Sequence, residues 1–177
     1  MGLDMYFYAR KKNQVVGWNI GDDDNYKSFM HWDAEEGAQD ETNYPEELKE
    51  LGDYIYRTNY KSSYINDDGC RCYQIGYFRK FNALHNYLCE LDGGRDECQE
   101  IVVSKKDLTD LLDTLKAVDK NHDEAEELLP TQSGFFFGGT EYDNWYFDDV
   151  KDAIEMCGLF LKHFDFENYD LVYQASW

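Results

Sequence analysis

Apolar positions at the start of the chain alternate, with Leu3, Met5 and Phe7 opposed to Asp4, Tyr6 and Tyr8. A period of two with aromatics predicts a strand over residues 1–8. Residues 19–44 are rich in Asp, Asn, Gly and Glu and read as a long acidic surface loop. Pro45 suits the first turn of a helix reaching about Arg57, with Leu48, Leu51 and Ile55 at helical spacing. A second loop, 58–69, ends in the turn signal Asn66-Asp67-Asp68-Gly69.

Cys70 to Ile75 reads as a short strand. Phe78 to Leu91 then reads as a helix, with Phe81, Leu84, Leu88 and Leu91 on one face and Gly93-Gly94 closing it. Gln99 to Val103 is β-branched and strand-like. Ser104 and Asp107 stand at capping-box spacing before Leu108, Leu111, Leu112, Leu115 and Val118, an apolar stripe directed at a core. After a connection over 128–144, Trp145 to Phe164 predicts the last helix, with Val150, Ala153, Ile154, Cys157, Phe160, Leu161 and Phe164 inward. Asp170 to Ser176 alternates Leu171, Tyr173 and Ala175 against Val172 and Gln174, and closes the chain as a strand.

Strands at both ends with helices between them predict an α+β fold. The expectation is a single domain over 1–177, with a small sheet that includes the N- and C-terminal strands side by side and about four packed helices.

Charge changes the picture more than composition does. The 177 residues carry 17 Lys and Arg against 37 Asp and Glu, a formal charge of −20. The last third is the most lopsided: after Asn121 only Lys151 and Lys162 oppose the acidic groups. Direct nucleic-acid binding is disfavoured, because phosphate affinity needs a basic face. No apolar run approaches the roughly 18 residues a membrane span needs. Five cysteines at uneven spacing read as free thiols in a reducing cytoplasm, so the expected location is the cytoplasm. Nothing in the sequence sets the oligomeric state.

Four constellations could carry chemistry. Cys70, Cys72, His85 and Cys89 could supply a zinc ligand set, but C-x-C lacks the usual spacer, so we read them as core thiols and expect no metal. His85 could serve Cys89 or Cys72 as a base, and His163 could serve Cys157, provided each thiol has an electropositive setting. Asp22-Asp23-Asp24-Asn25 resembles the start of a calcium loop, but Lys27 and Asp33 break the pattern at its sixth and twelfth positions. No cofactor is expected.

The fourth is the 128–144 connection. Its glycines free the backbone, Phe135, Phe136 and Phe137 offer rings, and its hydroxyl and amide groups could orient a ligand. A pocket for a nucleotide-like small molecule, or a small enzyme's active site, would then combine Arg79, Lys80, Asn82 and His85 with Thr131, Gln132, Ser133 and Tyr142. The competing reading uses the charge: Glu141, Asp143, Asp148, Asp149, Asp152 and Glu155, among abundant tyrosines and tryptophans, form an acidic surface for a partner with a basic one. Asp148, Asp149 and Asp152 also suit a helix start, where negative charge complements the dipole.

Three blocks stand out together: Met1-Gly-Leu-Asp-Met-Tyr, Gly76-Tyr-Phe-Arg-Lys-Phe-Asn-Ala-Leu-His85 and Leu129-Pro-Thr-Gln-Ser-Gly-Phe-Phe-Phe-Gly138. With them the chain resembles a family of small uncharacterised proteins of bacteriophages and bacterial mobile elements. That resemblance carries no catalytic residue. It implies a phage setting inside a host cell, where small acidic proteins often inhibit host enzymes or defence systems. The expectation it shapes is a binding protein rather than an enzyme, one that engages a host protein, with an anti-defence inhibitor occupying a basic nucleic-acid-binding site as its concrete form.

Overall fold

The computed structural model describes residues 2–12, 44–59, 61–66 and 69–177. Most of the acidic loop expected over 19–44, including the Asp22–Asn25 run, lies outside the described residues, as does Met1. Among the described residues, five strands form one antiparallel sheet in the order β2-β3-β1-β5-β4. They are β1 (Asp4–Lys11), β2 (Ser63–Ile65), β3 (Arg71–Arg79), β4 (Ile101–Val103) and β5 (Tyr169–Ser176). The helices are α1 (Lys49–Thr58), α2 (Asn82–Glu90), α3 (Lys105–Lys120), the single turn α4 (Ala125–Leu128) and α5 (Asn144–His163). The fold is α+β, as the pattern predicts, and the terminal strands lie side by side.

Alternation fixes which face of β1 is inward. Met5, Phe7 and Ala9 are fully buried, opposite Ala175, Tyr173 and Leu171 of β5. Helices α3 and α5 pack together over this face. Leu108, Leu111, Leu115 and Val118 meet Val150, Ala153, Met156, Cys157 and Phe160 in one continuous core. The capping box of α3 is formed: Ser104 accepts from Asp107 N–H while the Asp107 side chain accepts from Ser104 N–H.

Two segments depart from the sequence pattern. β3 continues through Gly76–Arg79, where a helix was expected from Phe78. A register shift between Phe7 and Tyr8 leaves Ile75 out of the pairing with β1, and this bulge breaks the alternation that marks a strand. Lys80 then turns the chain at φ 64°, and α2 starts only at Asn82. Leu91, expected inward, lies past the helix end and is exposed. The 58–69 segment, expected as loop, contains β2, which pairs with β3 through Ser63, Tyr64 and Ile65. No helix among the described residues is long and apolar enough to cross a membrane.

Candidate functional site

The 129–143 connection is held by side chains from beneath it. Asn82 is buried at the first position of α2, and its amide donates to the carbonyls of Phe137 (3.2 Å) and Gly139 (2.7 Å). Its own carbonyl accepts from Gln132 N–H at 3.1 Å. Tyr146 donates to the Leu129 carbonyl, and the Tyr142 hydroxyl accepts from Thr131 N–H. Phe137 is the buried anchor; Phe136 is half-buried and Phe135 is 95% exposed. One ring of three therefore fixes the loop, and one is left in water.

This arrangement splits the expected ligand site in two. Arg79, Lys80, Asn82 and Thr131 line a cavity of about 420 Å³, together with Glu141, Asp143, Asp149 and Trp145. Residues assigned from the sequence to separate ligand and partner sets thus share one cleft. Its lining carries both signs of charge. Arg79 lies 3.6 Å from Asp4, whereas Lys80 makes no ion pair among the described residues. Asn82 contributes little to a ligand, because its amide is spent on the loop. Tyr142 lies outside both cavities described here.

Gln132 and Ser133 line a second, smaller cavity of about 300 Å³, with Asp96, Gly134, Phe135–Phe137 and Trp177. His85 lies beneath this side of the loop and is 1% exposed. Its Nδ1 is 2.6 Å from the Tyr173 hydroxyl and its Nε2 3.0 Å from Asp96 Oδ1. Those contacts are mutually satisfied when Nε2–H donates to Asp96 and Nδ1 accepts from Tyr173, a neutral imidazole. Burial agrees, pushing the His85 pKa below its ordinary value against the pull of Asp96. Asp96 also accepts from Trp177 Nε1–H (3.2 Å) and from the Gln132 amide (3.3 Å). The result is a hydrogen-bonded chain from β5 through α2 to the loop and the C-terminal residue.

His85, Cys89 and Asp96 are the metal-type donors that converge among the described residues. Cys70 and Cys72 do not join them, because they lie at the opposite end of β3 from the turn into α2. Cys89 Sγ is 3.7–3.8 Å from both ring nitrogens, on the lone-pair axis of neither, and both nitrogens already have partners. Burial and the nearby Asp96 push the Cys89 thiol up to about 12. That setting disfavours the thiolate a nucleophile needs. Burial likewise pushes Cys157 up to about 12, which disfavours the thiolate that pairing with His163 would require. We read the His85 cluster as a positioning network.

The acidic residues expected to meet a partner fall along one edge of the same region. Asp148, Asp152 and Glu155 repeat at helical spacing on α5 and are exposed, with Asp149 half-buried beside them. Asp143 is the N-cap, accepting from the N–H groups of Trp145 and Tyr146. This corrects the dipole reading: α5 starts at Asn144, so Asp148, Asp149 and Asp152 fall beyond its first turn, where the dipole effect fades. Burial, then repulsion from Asp152, Asp148 and Asp143, pushes the Asp149 carboxyl up to about 7. Trp145 stands beside them 80% exposed.

Sequence reasoning passed over Asp96, Trp145 and Trp177. Asp96 sits in an irregular turn with no periodicity to mark it. The tryptophans offered a signal: Trp145 falls outside the apolar stripe of α5, and Trp177 follows the last strand, so neither had a core position to fill. No protein-family model matches the sequence, and no curated protein and no solved structure matches it.

Proposed function

We propose that this chain is a binding protein of phage type that engages a basic host protein through the acidic, aromatic face around the start of α5. The observation that carries this reading is Trp145, an indole 80% exposed among carboxylates, of which Glu141, Asp143, Asp149, Asp152 and Glu155 form no ion pair among the described residues. An exposed aromatic anchor within uncompensated charge is what a complementary basic surface recognises. At a rise of about 1.5 Å per residue, Asp148, Asp152 and Glu155 stand about 6 and 4.5 Å apart along the axis, a mean spacing of about 5 Å. That spacing is of the same order as the 3.4 Å charge repeat of one nucleic-acid strand. The concrete form of the proposal is therefore a competitor for a basic nucleic-acid-binding site, acting inside the host cell as an anti-defence inhibitor.

Affinity purification from the host, with mass spectrometry of what is retained, tests it. A basic protein should be captured, its affinity should fall as salt rises, and Asp149→Asn with Asp152→Asn should weaken it while folding survives. Salt-independent capture unaffected by those changes would remove the charge argument.

A second reading keeps one specific support. The 420 Å³ cleft is lined by Arg79 and Lys80 as well as Asp143 and Asp149, a mixed lining suited to a small ligand carrying both charges. Retention of a small molecule rather than a protein in the same purification would favour it.

A further inference from the structure

We propose that the smaller cavity between Phe135 and Trp177 is a seat for one arginine side chain of the partner, an inference that rests on the binding reading above. The argument is an accounting of hydrogen-bond acceptors. A carboxylate offers about four acceptor positions. At Asp96, Oδ1 takes two donors, from His85 and Trp177, whereas Oδ2 takes only the Gln132 amide. One position on Oδ2 has no donor among the described residues. Gln132 Oε1 is buried and finds no donor among the described residues. Its orientation is fixed, because turning the amide over would set oxygen against the Asp96 carboxylate.

Two unused acceptors therefore belong to side chains already joined to each other, and both side chains line the cavity. A buried acceptor with no donor costs about 1–3 kcal/mol, so the site is short of N–H groups.

The walls narrow the choice of donor. Phe135 is 95% exposed and Trp177 41% exposed, and the Trp177 ring stands 6.0 Å from the Phe137 ring. Exposed ring faces beside a carboxylate suit a flat cation. Guanidinium is planar, carries five N–H donors in a fixed fork and stacks on aromatic faces. An ammonium lacks the plane, and a neutral amide or urea group lacks the charge. The −20 charge of the chain favours a cationic occupant as well.

The test uses the whole protein and three blocked tripeptides, Gly-Arg-Gly, Gly-Lys-Gly and Gly-citrulline-Gly, followed by amide and indole NMR. The arginine peptide should shift the Trp177 indole and Gln132 side-chain signals saturably. The lysine and citrulline peptides should bind more weakly. Phe135→Ala and Trp177→Ala should each weaken arginine binding about fivefold. Should Trp177→Ala perturb the fold through Asp96, Phe135→Ala still decides, because that ring is in water. No saturable shift, shifts confined to Trp145 and Asp149, or equal binding of citrulline would each overturn the seat. Full affinity of a captured basic host protein for Phe135→Ala would overturn the seat and leave the acidic face standing. Arginine-peptide binding in a protein that captures no basic host protein would do the reverse.

Discussion

The side-chain amide of Asn82 donates to the Gly139 carbonyl at 2.7 Å, across 57 residues of sequence. With its bonds to Phe137 and Gln132, this one buried residue ties both arms of the 131–142 loop to the start of α2. The two cavities lie on either side of that tie, so the loop's shape decides both of them.

Asn82→Ala should therefore cost about 2–3 kcal/mol, since it leaves buried loop groups without partners. Chemical denaturation measures the loss. Amide exchange should speed up across 131–142 while the β1–β5 pairing stays protected. Uniformly faster exchange would show that Asn82 supports the whole fold rather than the loop.

Neighbouring phenylalanines should behave oppositely. Phe137 is 6% exposed and touches the His85 and Trp177 rings, so Phe137→Ala should cost about 3 kcal/mol. Phe135 meets the Phe136 ring but is otherwise in solvent, so Phe135→Ala should stay within about 0.5 kcal/mol. Thermal melts of the two variants check the contrast, and equal losses would contradict it.

Gly76 has a different constraint. A Cβ there would sit 2.8 Å from Met156 Sδ and 3.1 Å from Phe160 Cζ, where α5 crosses β3. Gly76→Ala should destabilise by about 1–3 kcal/mol through overpacking. Measured in a Met156→Ala background, which lacks the nearest atom, the loss caused by Gly76→Ala should be smaller than in the parent; an equal loss in both would place the strain elsewhere.

The elements with an unbroken period were legible in the sequence: α3, α5 and the terminal strands follow from their apolar stripes alone. β3 was not, because the bulge at Ile75 interrupts its alternation and Tyr77-Phe78 fits a helix equally well. β2 has three residues, too few to show a period. The candidate site divides in the same way. Arg79, Lys80 and Thr131 could be placed together from composition. Asp96 could not, because its role comes from three partners, His85, Gln132 and Trp177, that are distant from it in sequence or lie outside any pattern. Long-range hydrogen bonds leave no local trace.

Asp149 and His85 give the stability of the protein opposing responses to acid. The Asp149 carboxyl is pushed up to about 7, from an ordinary 3.8, by burial and by Asp152, Asp148 and Asp143. It therefore binds a proton more readily folded than unfolded. Its ionisation destabilises the fold above about pH 7, and that penalty disappears as pH falls towards 4. His85 works the other way. Burial lowers its pKa below 6.5, so its contribution is complete above pH 6.5 and is lost as pH falls. Asp149→Asn should remove the first response alone. With solvent screening at a half-buried group, the variant should exceed the parent at pH 8 by on the order of 1 kcal/mol and match it near pH 4. Its stability should also fall more steeply as pH drops below 6.5, because the His85 loss is then opposed by the raised Asp152 carboxyl but no longer by Asp149. Urea denaturation over a pH series measures both. A residue whose removal stabilises the fold yet weakens capture of a basic protein would be held there by binding; a gain that is the same at pH 4 and pH 8 would show that charge is not what strains this site.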